Sequence, residues 1–343
     1  MIEIDGSFGE GGGQIVRTAV SLSAVTSKPV RITGIRKGRP KPGLASQHAH
    51  AIRALADICG AETTGVKPGS SEIAFSPGRI RGGCRQVEIG TAGSVTLLMQ
   101  CLVPALLMAD APSSILIRGG TDVKWAPTID YFKYVFMPAV SAFGVRVSLS
   151  VLIRGYYPRG GGEVRLDVEP GDLKPAHFST CEQQALKRTV LGISHCSNLP
   201  EHVASRQAEA AEKHLLAAGY VSEIKKEVLK LPSTGSGITL WAGGKGASAL
   251  GERGLPAEKV GFYAAFKLIR ELETLAAVDV HLADQLIVYL ALAGGSMTLG
   301  SLSEHTKTNI WTVGHFLDAK MEIKEANGIF RIESLLPSTI SQP

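Results

Sequence analysis

Cysteine is scarce in this chain of 343 residues. The five present (Cys59, Cys84, Cys101, Cys181 and Cys196) are an odd number and show no CxxC spacing. That argues against a disulfide framework or a zinc ribbon and fits a reducing, cytoplasmic setting. Excess charge of one sign is also missing. A net charge of +5 is modest for this length, so an anionic partner must be met by a local basic patch and not by the bulk field. No hydrophobic run is long enough to span a bilayer: the longest apolar stretch, residues 95–109, is short and contains Gln100. The N-terminal MIEIDG has neither the basic nor the apolar region of a secretory signal. Both established glycine fingerprints for nucleotides, GxGxxG and GxxxxGK[ST], are lacking from the N-terminal glycine run.

What is present is a globular composition, 44% hydrophobic, sufficient for one large or two moderate cores. Its most informative stretch is Gly9-Glu10-Gly11-Gly12-Gly13-Gln14-Ile15-Val16-Arg17. Glycines let backbone N–H groups converge, and a helix N-terminus adds partial positive charge, so an anion is held well there. Glu10 would repel a bare anion, which points to a hard divalent cation between carboxylate and phosphate. Arg17 follows Gly13 by about one helical turn, within reach of a phosphate at the helix mouth. The alternative for such a loop is a tight turn.

Apolar periodicity repeats three times. A first helix and strand are expected at 14–24 and 29–35, at 95–108 and 114–118, and at 283–293 and 296–299. Second helices are expected at 44–59, 129–143 and 309–318, and closing strands at 72–75, 162–168 and 328–332. The fold class is α/β (α+β) with a βαβαββ pattern three times over. The larger gap before the third copy marks an insertion at 178–275. That insertion carries a helix at 201–218 and strands at 189–194, 221–231 and 238–242. Its glycines at 235–237 and 243–246 read as hairpin turns. The expected domains are therefore 1–177 with 276–343, and 178–275.

Two further groups carry chemistry. His281-Leu282-Ala283-Asp284-Gln285 introduces the third copy's first helix, and His305 lies in Ser303-Glu304-His305-Thr306, just before its second. A neutral imidazole beside a carboxylate and hydroxyls can attack a phosphoryl group to give a phosphoramidate. The other reading makes His305 a solvated or capping residue and Asp284 a helix cap. Arg36, Arg39, Lys41, Gln47 and His48 sit in a Gly- and Pro-rich segment and can converge on a terminal phosphate, whose dianion suits bidentate arginine. The alternative is a solvated basic loop.

These motifs, together with Gly119-Gly120-Thr121-Asp122 and Gly160-Gly161-Gly162, occur in order up to about residue 335, and the chain resembles the RNA 3′-terminal-phosphate cyclase family. The resemblance implies an ATP-dependent ligase with three βαβαββ repeats, an inserted thioredoxin-like domain, and RNA ending in a 3′-phosphate as substrate. It implies a histidine–AMP intermediate, an RNA(3′)pp(5′)A intermediate, and a 2′,3′-cyclic phosphate product. On that resemblance His305 is the nucleophile, while Gln100, Pro127, His281, Leu282, Ala283, Asp284 and Gln285 are adenosine-binding positions. Glu10 is the carboxylate linked to Mg²⁺ or Mn²⁺, and Arg17, Arg36, Arg39, Gln47 and His48 surround ATP phosphates or the RNA end. Two alternatives belong to other classes. A non-catalytic relative acting in ribosomal RNA processing would lack the histidine, and an enolpyruvyl transferase with related repeats would lack the His305 loop and the HLADQ segment.

Overall fold

A computed structural model describes residues 1–90, 92–179 and 189–335. Cys181, the opening of the expected 178–275 insertion at 180–188, and the last residues of the expected 276–343 segment lie outside the described residues.

Three four-stranded sheets share one order of connection. In the first, β1 (Ile2–Asp5) pairs in parallel with β2 (Val30–Thr33), and antiparallel pairing continues through β4 (Ile73–Ser76) to β3 (Glu62–Thr64). The second runs β5 (Gly83–Glu88), β6 (Ser113–Gly119), β8 (Gly162–Glu169), β7 (Arg146–Ile153), with the same parallel-then-antiparallel sequence of pairings. The third runs β9 (Ala176–Phe178), β14 (Gly295–Leu299), β16 (Ile329–Leu335), β15 (Lys320–Ala326). A parallel pair needs a crossover, and in the first two sheets that crossover is one helix. These helices are α1 (Gly13–Thr26) and α3 (Val95–Leu106). Between β9 and β14 the crossover is far longer, because residues 189–272 form a unit of their own before the corresponding helix begins.

That unit has a fourth sheet, in the order β11 (Val221–Leu229), β10 (Thr189–Ser197), β12 (Gly235–Ala242), β13 (Lys245–Leu250). It is covered by α6 (His202–Ala217) and α7 (Ala257–Leu272). Its core, including Val190, Ala211, Ile238, Val260 and Leu268, is separate from the main one. The crossover helix of the third sheet is α8 (Val280–Ala293).

Second helices close each sheet's outer connection. They are α2 (Ser46–Cys59), the run of α4 (Ile129–Tyr131), a π-helical turn (Phe132–Phe136) and α5 (Met137–Ser141), and α9 (Glu304–Gly314). The crossover helices are apolar nearly all round, as the sequence of α8, VHLADQLIVYLALA, illustrates. Such helices belong inside a core, and α1 packs between α3 and α9 in the cluster that spans all three sheets.

Several expected boundaries shift, each for a local reason. The helix expected at 309–318 starts at Glu304, because the Ser303 hydroxyl accepts from Thr306 N at 3.0 Å and caps the helix five residues early. His305 therefore stands on the first turn and not in a preceding loop. The helix expected from residue 283 begins at Val280, capped by Asp279 and not by Asp284. Gly235 and Gly237 are not turn residues; they lie inside β12, where a Cβ on Gly235 would meet the Tyr156 ring. Gly243, with φ +60°, is the hairpin glycine. The amphipathic helix α7 had no counterpart in the expected elements of the insertion.

Candidate active site

The chain folds so that the N-terminal end of α1, one face of the N-terminal part of α8 and the first turn of α9 open on one cleft of about 1750 Å³. Every candidate residue lines it except Leu282 and Ala283, which are fully buried in the core on the opposite side of α8. With a helical period, Leu282 and Ala283 cannot share the face of His281 and Gln285.

His305, Glu10 and Arg39 form its charged centre. Glu10 Oε2 accepts from Arg39 Nη2 at 3.1 Å and lies 3.8 Å from His305 Nε2. All three side chains are partly exposed to the cleft. The His305 backbone is fixed by Gln14, whose amide donates to the His305 carbonyl at 3.1 Å. Thr18 and Asn309 extend this seam through a 2.9 Å hydrogen bond, and the Asn309 amide donates to the Asp284 carbonyl at 2.7 Å. The opening glycine motif and the histidine loop, almost three hundred residues apart, are thus one structure.

Gly13 is required by contact. A Cβ there would clash with the ring of His48, which lies against the start of α1 and is nearly fully buried. Burial, with Arg17 and Arg36 nearby, pushes the His48 imidazole down to about 3, so it is neutral at physiological pH. Arg36 takes a left-handed φ of +53° and donates to the Gly43 carbonyl at 3.1 Å. These contacts organise the 36–48 segment into a basic wall around the glycine loop.

The other wall is polar and uncharged. Gln100 Nε2 donates to Gln285 Oε1 at 2.8 Å, and Gln285 Nε2 donates to the His281 carbonyl at 2.9 Å. Pro104, inside α3, has no N–H to offer the Gln100 carbonyl four residues back. Pro127 borders the same wall, its carbonyl accepting from Thr96 at 2.8 Å. Beneath lies Asp284, whose carboxyl is raised to about 8 by burial and by Asp279, against the opposing pull of Arg17. Asp279 itself ties three parts of the chain together: it caps α8, accepts from the Tyr131 hydroxyl at 2.8 Å and accepts from Gly246 N at 2.8 Å.

One cluster escaped sequence reading. Asp122, Asp130 and His195 are fully buried and bring ligand-type atoms within 4.8 Å of one another. Arg154 stands among them, 2.9 Å from Asp130, 3.5 Å from Asp122 and 3.1 Å from Glu227. Its guanidinium supplies the positive charge these carboxylates need. Burial, reinforced by Arg154, holds His195 neutral, with its imidazole lowered to about 3. Because His195 is on β10 and Asp122 and Asp130 flank the second sheet, the cluster fastens the inserted unit to the main body. Asp122 stood in a quoted motif, but nothing local to it signals partners on β10 and β11.

No helix among the described residues is long and apolar enough to cross a membrane. A family model described as RNA 3′-terminal phosphate cyclase matches residues 8–323. Among curated relatives of that name, the protein from Methanosarcina mazei is 51% identical, covering 97% of this chain and 99% of its own. The one from Methanosarcina acetivorans is 53% identical with the same coverage, and that from Archaeoglobus fulgidus is 53% identical over 92% of this chain and 96% of its own. The enolpyruvyl transferase NikO from Streptomyces tendae aligns with 96% of this chain and 47% of its own at 10% identity, and its TM-score of 0.38 is too low to bear on the fold. A match of this extent and identity makes the chain a member of the RNA 3′-terminal phosphate cyclase family of enzymes.

Proposed function

We propose that the cleft converts an RNA 3′-terminal phosphate to a 2′,3′-cyclic phosphodiester at the expense of ATP, through a covalent His305–AMP. The supporting observation is the position of His305: a partly exposed imidazole on a helix's first turn, 3.8 Å from Glu10 and beside a wall of arginines. In the first step His305 Nε2 forms a bond to the α-phosphorus while the bond to pyrophosphate breaks. In the second an RNA 3′-phosphate oxygen displaces the histidine, giving RNA(3′)pp(5′)A. In the third the adjacent 2′-hydroxyl attacks the 3′-phosphorus, loses its proton and expels AMP. Each displacement is easier than direct condensation.

The chain's own groups account for orientation and charge. Gln14 and Asn309 hold the loop of His305 against α1 and α8, so the imidazole is aimed before substrate arrives. Arg17, Arg36 and Arg39, with Gln47 and His48, receive phosphate oxygens, and the N–H groups at the start of α1 add to that field. Gln100, Pro127, His281, Asp284 and Gln285 form the adenosine side, the two glutamines held together by their hydrogen bond. Leu282 and Ala283 contribute only the packing that fixes this face.

Glu10 fits a divalent cation. Both of its contacts run through Oε2, leaving Oε1 as a hard oxygen donor facing the cleft, suited to Mg²⁺ or Mn²⁺. Bound there with phosphate oxygens, the ion would neutralise charge developing on the phosphates. The inserted unit, 178–275, we assign as a separate, thioredoxin-like domain beside the main body of 1–177 and 276–343, and we place the protein in the cytoplasm.

Incubation with ATP labelled at the α-phosphate and Mg²⁺ or Mn²⁺ tests the reading. The protein should acquire an acid-labile, alkali-stable label that chases into RNA bearing a 3′-phosphate, and His305→Ala should acquire none. Glu10→Ala should need more metal for the same labelling. A stably labelled His305→Ala protein would overturn the nucleophile, and an unchanged metal titration would remove Glu10 from the cation site.

A further inference from the structure

Helix α7 of the inserted unit carries a stripe that the reaction as described does not use. Lys259, Tyr263, Phe266, Lys267 and Arg270 recur at helical spacing on its exposed side, while Val260, Ala264, Ala265 and Leu268 are buried in the unit's core. Tyr263 and Phe266 are 41% and 48% exposed, and the Arg270 guanidinium lies 5.9 Å from the Phe266 ring centroid. Among the described residues, Lys259, Lys267 and Arg270 form no ion pair with a carboxylate, so their charge is available to a partner.

Four of these residues, Tyr263, Phe266, Lys267 and Arg270, line the same cleft as His305. So does Trp125, which is 94% exposed. Trp125 also holds a φ of +60°, strained for a bulky residue. Its neighbours keep it there: Val123 and Thr128 are buried, and Lys124 pairs with Glu252 at 2.8 Å. An indole presented to water in a strained conformation at the rim of a cleft is poised to meet a flat apolar face. The cleft's roughly 1750 Å³ also exceeds the usual size of a single small-ligand pocket.

We propose that Trp125 and the α7 stripe form a track for the single-stranded RNA immediately 5′ of the reacting 3′-phosphate. Bases stack on the exposed rings, and backbone phosphates meet Lys259, Lys267 and Arg270. Single-stranded RNA alternates flat apolar faces with anionic charges, and the stripe alternates aromatic rings with cations. A duplex hides its base faces and cannot use the rings. The inference rests on the cleft's taking an RNA 3′ end. It adds that the inserted unit makes the enzyme sensitive to the length of the strand.

Fluorescence anisotropy with a 3′-phosphorylated single-stranded 12-mer, a 3′-phosphorylated dinucleotide and a 12-base-pair duplex tests the track on the full chain. The wild type should bind the 12-mer more tightly than the dinucleotide. In Trp125→Ala/Phe266→Ala the 12-mer should lose about 5- to 100-fold in affinity, the range expected for lost base stacking, with the dinucleotide little affected. In Lys267→Gln/Arg270→Gln the dependence of 12-mer affinity on salt should flatten by roughly two phosphates' worth, a slope change of about 1.4. Melting curves matching the wild type establish that each variant is folded. Unchanged 12-mer affinity in both folded variants overturns the track, as does a duplex bound as tightly as the single strand. Loss of 12-mer affinity in the variants while the wild type fails to label with ATP would uphold the track and overturn the adenylylation reading, so the two failures are separable.

Discussion

Replacing Gly13 with alanine isolates the contact that shapes the basic end of the cleft. Alanine favours a helix over glycine by up to about 1 kcal/mol, so local propensity alone forecasts a more stable protein. The structure forecasts the reverse. The new Cβ would overlap the Cε1–Nε2 edge of the His48 ring, far inside van der Waals contact, and lie 2.7 Å from Nδ1. His48 is 5% exposed, so its ring must shift to admit the methyl. Forcing a methyl into such packing costs about 1–3 kcal/mol. Net of propensity, a loss of about 1–2 kcal/mol is expected, a fall of about 2–3 °C in Tm for a chain this long. The ring's displacement disturbs the neighbourhood of Arg17 and Arg36, the groups whose charge it already feels. A misplacement on the order of 1 Å among positioning groups costs about 10²-fold in rate, so cyclisation should fall far more than stability. A double-mutant cycle with His48→Ala provides the control: removing the ring should make the alanine at 13 neutral or stabilising, with a coupling of about 1–2 kcal/mol. A Gly13→Ala protein as stable and active as the wild type, or a double variant whose losses simply add, would refute the reasoning.

Two other perturbations follow from buried charge. The Asp284 carboxyl is raised to about 8 from 3.8, so the folded protein holds a proton there that the unfolded chain has released. Its contribution to stability therefore declines as pH rises from about 4 to about 8. Asp284→Asn should consequently gain on the wild type across that window, seen as a Tm difference that widens between pH 5 and pH 8, and a difference independent of pH would exclude the shift. Arg154→Ala removes the cation shared by Asp122, Asp130 and Glu227, and a loss of about 3–5 kcal/mol in denaturant unfolding is expected. The deficit should shrink as acid neutralises the carboxylates, and a loss below about 1 kcal/mol would show that the cluster does not fasten the inserted unit.

The sequence by itself determined the elements whose cause is local. Apolar runs such as residues 95–108 and 283–293 read as core helices, and their threefold recurrence carried the connection order. The candidate residues were legible because phosphate and nucleophile chemistry restricts residue types: a glycine run with Glu10 and Arg17, arginines at 36 and 39, histidine at 305. Even the error at His305 was local, since a serine cap at 303 moves a helix start by several residues without changing what the histidine is.

Tertiary structure decided which groups meet. Glu10 lies against His305, Gln100 against Gln285 and Gly13 against His48 only because α1, α2, α3, α8 and α9 pack together, and no spacing along the chain encodes those distances. It also decided that Leu282 and Ala283 face the core while His281 and Gln285 face the cleft, and that Arg154 answers carboxylates on separate elements. Burial and charge are properties of assembled neighbours. A sequence lists the groups that can carry a charge or a ring, and only the packed fold sets the surroundings that shift an aspartate to about 8 or leave a tryptophan facing solvent beside a cleft.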